Sequence, residues 1–412
     1  MYLKDKKKSG FDKIYIWTFL ISFLLSVYFS FDSFWYGELS KYLEVNLPNP
    51  AQRYITIIHI SILATSLLFF HKKNRLKDLT HLGKTLFIFS LYILCSCLIT
   101  KNYNRFIDYL ELFLTASLWI YIYLFTYTLR LRYDIDKYIP KFIIIFYILS
   151  VILFLRNYYF NNQIGNEWQY IESYYAITLL PAITLLKKKY VYIFFFITIA
   201  CSIIACKRTG IITCVTSIVL YIIIAGKSLT YKIITILTGS VALLAMYIAL
   251  NHFMAKDIEA IAERIVNIKE DDGSGRGEMY NSVFQEIASN TDINSFLFGK
   301  GHNEVINSKG SQGFSAHNEF LEVAYDYGVV GFIIFSFIFI AIFISYCKTK
   351  THQHKVAMLI SLFIFFAFSL TSHTILNTTN IVFLCMIWGY IDAKNKIGSK
   401  NIVSVNKTTN PQ

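Results

Sequence analysis

The residues of this 412-residue chain best suited to chemistry are one histidine and two arginines, each beside a polar turn. His317 opens the stretch His317-Asn318-Glu319-Phe320-Leu321-Glu322, which continues through Tyr325-Asp326-Tyr327-Gly328 to Gly331. An imidazole, with an unperturbed pKa of about 6.5, can take a proton from an attacking hydroxyl. A positioned base of that kind contributes roughly 10²–10⁴ in rate. Arg208, preceded by Lys207, lies at the turn between two apolar runs, and Arg276 stands between Gly275 and Gly277. A guanidinium holds phosphate bidentately where an ammonium acts as a point charge. At the start of a helix, Arg276 would also share an anion with the first backbone amides. The simpler alternatives are a capping histidine, an interfacial arginine reaching for headgroups, and a solvated loop arginine.

Other candidates carry less. Asp134-Ile135-Asp136 has the Asp-x-Asp form of metal-dependent sugar transferases, but its loop is too short to hold a nucleotide-binding domain. Asp271-Asp272 reads as a solvated acidic loop. Asp108 and Glu111 sit one turn apart near the end of an apolar run, where carboxylates are costly unless paired or solvated, so Glu111 is a candidate for acceptor contact. His59 and His373 read as polar groups in helix packing, and His352 and His354 as ordinary loop residues. The seven cysteines form no Cys-x-x-Cys spacing and read as core packing.

These groups must be positioned by membrane helices. Hydrophobic residues make up 55% of the chain and charged ones 16%, and the mean hydropathy is +0.48. Apolar runs occur near 14–30, 54–70, 85–100, 106–129, 142–155, 173–186, 190–205, 211–225, 233–253, 329–346, 356–372 and 379–391. A helix needs about 20 apolar residues to cross a hydrocarbon core of about 30 Å. The expected fold is therefore all-α and polytopic, with about twelve transmembrane helices and one large external helical loop. The alternating strands of a membrane β-barrel are missing. Residues 1–253 hold the first nine spans, 254–328 the external loop, 329–391 the last three spans, and 392–412 a polar tail expected to be disordered.

Charge orients the bundle. Of the 39 Lys and Arg, 26 fall on the side of the termini and 13 on the other, six of those in 254–328. This bias assigns both termini to the cytoplasm. The net charge of +13 is then mostly flank charge facing anionic lipid, not a nucleic-acid footprint. Lys207 and Arg208 run against the bias, which an anion at the outer surface explains. Within 254–328, Ala255 to Ile268 reads as a helix, Glu270 to Gly275 as an acidic turn, and Gly277 to Ser289 as a second helix with Arg276 just before it. A third helix is expected from Ser315 or Ala316, with His317, Leu321, Ala324 and Gly328 on one face.

The ordered set Cys206-Lys207-Arg208-Thr209-Gly210, Ser274-Gly275-Arg276-Gly277-Glu278-Met279-Tyr280, Leu297-Phe298-Gly299-Lys300-Gly301 and His317-Asn318-Glu319-Phe320-Leu321-Glu322, followed by Gly328 and Gly331, resembles the O-antigen polymerase and O-antigen ligase superfamily of bacterial envelope glycan transferases. The resemblance covers about 200–345. It implies transfer of a glycan from undecaprenyl pyrophosphate to a sugar hydroxyl on the outer face of the inner membrane, with no cofactor, metal or nucleotide sugar. It puts the family's arginines on Arg208 and Arg276 and its histidine on His317. Lys207 would add to the pyrophosphate site. Tyr280, where the family often has tryptophan, and Asn318 would touch substrate. Polymerisation of repeat units is the preferred activity, with ligation to lipid A core as the alternative. The expected partners are the lipid-linked oligosaccharide and membrane lipid, with room for a regulator of chain length. The rival from another class is a flippase for lipid-linked sugars. Transporters, however, place ionisable groups near mid-membrane, whereas here no span contains Lys or Arg, and no repeat between the halves is evident.

Overall fold

The computed structural model describes residues 10–42, 50–73, 76–100, 106–163, 173–205, 208–226, 228–253, 272–309, 315–372 and 378–408. They form α-helices joined by short connections, with no strand among them. In chain order the helices are α1 (Gly10–Tyr42), α2 (Pro50–Lys73), α3 (His81–Thr100), α4 (Phe106–Arg132), α5 (Ile139–Gln163), α6 (Ser173–Ile183) and α7 (Lys188–Ile204). They continue with α8 (Arg208–Ala225), α9 (Leu229–Phe253), α10 (Asp272–Ala288), α11 (Ile293–Phe298), α12 (Glu319–Lys348), α13 (His352–Thr371) and α14 (Thr378–Thr408). Each of the twelve apolar runs falls on one of these helices, because backbone amides in lipid must be satisfied within the segment. By length and composition α1 to α5, α8, α12 and α13 can each cross a membrane. The chain is a polytopic helical membrane protein.

Two helices form the inside of the bundle. Along α4 the side chains from Ala116 to Thr128 are buried all round, and α6 is buried over its whole length. A helix apolar on every face is a core helix. α4 packs on α2, α3 and α14, and α6 on α5, α7, α13 and α14. α4 and α14 come close at Gly389, where an added Cβ would lie 2.6 Å from the carbonyl oxygen of Tyr123. Small residues at such crossings let backbones meet, which matters where no hydrophobic force acts between helices. Hydroxyls and rings supply the rest: Ser90 to Tyr121 at 2.7 Å, Ser26 to His59 at 3.0 Å, and Trp388 Nε1 donating to Ser361 at 2.8 Å. His59 is thus the packing group its sequence suggests.

One expectation, the place of His354, is corrected here. α14 continues past residue 391 to Thr408. Lys394 pairs with Asp136 at 3.0 Å, and Asn395 donates to Thr349 at 2.9 Å. Asp136 also meets Arg130 at 3.0 Å, giving the Asp-x-Asp segment a structural pairing. His354 is buried in the first turn of α13 with its ring edge-on to Tyr390, not in a loop. The expected helix at 255–268 lies outside the described residues.

Candidate active site

The site is built where the loop helices meet the start of α12 and the end of α13. α10 begins at Asp272, so Arg276 lies one turn inside the helix rather than before it. From there Arg276 Nη1 donates to the carbonyl oxygen of Thr371, the last residue of α13, at 3.0 Å. Tyr280, one turn further and within electrostatic reach of Arg276, donates its hydroxyl to the carbonyl oxygen of His317 at 3.3 Å. Burial raises the Tyr280 phenol above its usual range, with Glu322 adding to the rise and Arg276 opposing it.

His317 is not on a helix. Its φ is +53°, and the helix starts after Asn318, whose Oδ1 accepts the amides of Phe320 at 3.1 Å and Leu321 at 3.3 Å. An asparagine is a strong N-cap, so the regular turn begins beyond it and the residue before it is released into the left-handed region. The expected shared face fails at its other end as well. Gly328 takes φ +66° and breaks α12 into two pieces. His317 and Gly328 therefore do not continue the line of Leu321 and Ala324.

That break is clamped by the loop. Gly299, at φ +82°, faces it: a Cβ on Gly299 would sit 2.2 Å from the Asp326 carbonyl oxygen, and one on Gly328 would sit 2.4 Å from the Leu297 carbonyl oxygen. Asp326 Oδ2 accepts the amide of Asn303 at 2.6 Å and Oδ1 that of Val305 at 2.9 Å, while its carbonyl accepts Gly301 N at 2.8 Å. His302 Nδ1 meets the Tyr327 hydroxyl at 2.7 Å, and Tyr92 of α3 donates to the Tyr327 carbonyl at 2.6 Å. Backbone-to-backbone contact of this kind admits only glycine. Gly328→Ala is expected to cost about 2 kcal/mol or more and to open residues 297–309 to protease, read by limited proteolysis and thermal unfolding of the purified protein.

A second tie joins α10 to the same layer. Glu286 accepts the amide of Lys309 at 2.6 Å and the Tyr325 hydroxyl at 2.9 Å, and pairs with Lys300 at 3.5 Å. Burial pushes this carboxyl up, but the three donors outweigh it and hold it below the usual glutamate range. A depressed folded pKa gives stability that is complete above the unfolded value of about 4.3 and is lost as pH falls through the folded one. Proteolysis around residue 309 is therefore expected to rise on acidification below about pH 4, with Glu286→Gln showing the exposure already at neutral pH.

Glu319 and Glu322 are fully buried beside these groups, and Tyr174 at the start of α6 lies within electrostatic reach of Arg276. The sequence reading assigned none of the three a role. Acids in a first helical turn look like ordinary dipole partners, and nothing local ties Tyr174 to a loop 100 residues away. Arg208 is the partly buried first residue of α8. α6 starts near Arg276, α7 returns after a short turn, and α8 begins after three more residues, so Arg208 lies at the same end of the bundle. Glu111 is exposed near the start of α4, and Lys207 lies outside the described residues.

Fold and site together define a multi-pass membrane protein with arginine, tyrosine, histidine and buried carboxylates gathered at one end of its bundle. Residues 193–336, which run from α7 into α12 and include Arg208, Arg276 and His317, match the model of the O-antigen ligase family. The chain is thus similar to that family over about a third of its length. The search of curated proteins found no match to the chain.

Proposed function

We propose that the chain joins oligosaccharide repeat units carried on undecaprenyl pyrophosphate into a surface polysaccharide, at the outer face of a bacterial inner membrane. The observation that carries this reading is Tyr280, whose hydroxyl donates to the His317 carbonyl at 3.3 Å within electrostatic reach of Arg276, all inside the segment that matches the O-antigen ligase family. A cation for the leaving group and a base for the nucleophile are thereby held in one small layer.

In this reading Arg276 and Arg208, with Lys207, hold the pyrophosphate. A ring nitrogen of His317 takes the proton of the acceptor hydroxyl, whose oxygen attacks the anomeric carbon from the opposite face. The new glycosidic C–O bond forms with inversion as the bond to the pyrophosphate oxygen breaks, and that oxygen leaves with the electron pair. One cation about 4 Å from the growing charge supplies on the order of 4 kcal/mol at an effective dielectric near 20. Two arginines thus provide the positive charge that a divalent ion supplies in other transferases. Glu111, Asn318 and the ring of Tyr280 offer sugar contacts. The bias of Lys and Arg leaves both termini in the cytoplasm and the loop outside.

Ligation is the second reading, favoured by the description of the matched family as O-antigen ligase. The donor is the same, and only the acceptor differs. Purified protein in liposomes, given lipid-linked repeats alone, separates the cases. Longer chains on the carrier support polymerisation. New bonds only after lipid A core is added support ligation. Relocation of repeats without any new glycosidic bond overturns both.

A further inference from the structure

At the end of the bundle away from the candidate site, a cavity of about 910 Å³ opens between the start of α3, the end of α12, the start of α13 and the later part of α14. Six lysines line it against one carboxylate, Asp392. Asp392 is itself buried and already engaged, accepting the hydroxyls of Thr80 at 2.5 Å, Tyr123 at 2.7 Å and Ser345. Lys394 and Lys396 pair with Asp136 and Asp78 at 3.0 and 3.7 Å. Among the described residues, no carboxylate lies within ion-pair distance of Lys84, Lys348, Lys350 or Lys355.

Four ammonium groups around one hollow repel each other, and an anion among them reverses the sign of that interaction. The backbone points the same way. Thr351 precedes α13 without a side-chain cap, so the first amides of α13 add partial positive charge at the rim. The volume falls within the range of sites for whole small molecules, about 300–1,000 Å³, and is generous for phosphate alone. Part of the wall is apolar, from Leu79, Leu82, Ala341 and Ile344. Ile344 adjoins Phe343, the last of the outward row Phe337, Ile340 and Phe343 on α12. The cavity therefore combines a cationic rim with a wall continuous with a lipid-facing helix surface, at the end that charge assigns to the cytoplasm. Basic pockets between helices on that side suit phosphate headgroups.

We propose that this cavity is a binding site for a phosphate-bearing anion, either the headgroup of an acidic phospholipid from the adjoining leaflet or a soluble phosphate compound. The test uses the full-length protein in a neutral detergent, titrated with dihexanoyl phosphatidylglycerol, dihexanoyl phosphatidylcholine and inorganic pyrophosphate and followed by microscale thermophoresis. Phosphatidylglycerol is expected to saturate the wild type and phosphatidylcholine not to. Lys348→Gln with Lys355→Gln is expected to weaken binding by about tenfold, which is 1.4 kcal/mol. Lys309→Gln, an exposed lysine at the other end, should leave it unchanged. The exposed rim pair Lys84→Gln with Lys350→Gln gives a second variant should the first not fold. Lysine-dependent binding of pyrophosphate without phosphatidylglycerol supports the site and names a soluble ligand. Binding of neither anion, or binding that both lysine pairs leave unaltered, overturns the proposal.

Discussion

Replacing His317 by asparagine is expected to slow glycan transfer roughly 10²–10⁴-fold, the worth of a positioned general base, with protein level and thermal stability near wild type. Asparagine is the informative choice because His317 holds φ +53°. Asparagine tolerates that left-handed backbone, whereas alanine would add about 1 kcal/mol or more of strain to whatever chemistry it removes. The Tyr280 hydroxyl binds the His317 carbonyl, not its ring, so this tether survives the change. His317→Asn thus keeps the backbone arrangement and removes the imidazole that the proposed reaction uses as its base. Initial rates on lipid-linked repeats, with purified enzyme at pH 7, decide the matter. Transfer at wild-type rate by the asparagine variant would show that the position serves as a turn and that the base is elsewhere.

The parts of this architecture written as long local patterns were legible, and those set by distant contacts were not. Twelve apolar runs became twelve helices because run length is a local property that lipid enforces. The motif residues Arg276, Tyr280 and His317 were picked out from residue type and resemblance, and the structure brings them into one layer. Their helical addresses were misread by a few residues. Deciding between Asn318 and Ser315 as the start of α12 needs the knowledge that the asparagine side chain turns onto Phe320 and Leu321. The kink at Gly328 depends on Leu297 and Gly299, thirty residues away, arriving backbone to backbone. Likewise Lys394, Asn395 and Lys396 are tied to Asp136, Thr349 and Asp78, partners that no local pattern announces.

The same contrast explains why the loop must be stiff. A general base and a leaving-group clamp act only if held within a fraction of an ångström of working geometry, and short polar segments do not hold themselves. Asp326 supplies that stiffness by accepting amides from Asn303 and Val305 across the broken helix. Tyr327 couples the same point to α3 through Tyr92. The layer that carries His317 is thereby fastened to a membrane helix rather than floating above it.

Arg276→Ala is expected to lower the rate of transfer by roughly 10²–10³-fold or more, the loss found when a preorganised donor to a developing charge is removed. Arg276→Lys is the sharper experiment. The guanidinium has five N–H donors in a fixed plane; one already reaches the Thr371 carbonyl at 3.0 Å, with Tyr280 within electrostatic reach. Its remaining donors can face a diphosphate without surrendering those ties. A lysine has the charge but a single ammonium, which cannot hold the end of α13 and a phosphate oxygen in two directions at once. The lysine variant is therefore expected to fall between wild type and alanine, with most of the loss in kcat and little in KM, because in the proposed reaction the charge to be stabilised grows only as the pyrophosphate departs. Measured on purified enzyme, a lysine variant with full kcat would reduce the arginine to a bare point charge. An alanine variant with full kcat would remove Arg276 from the reaction and send the search for the leaving-group cation to Arg208.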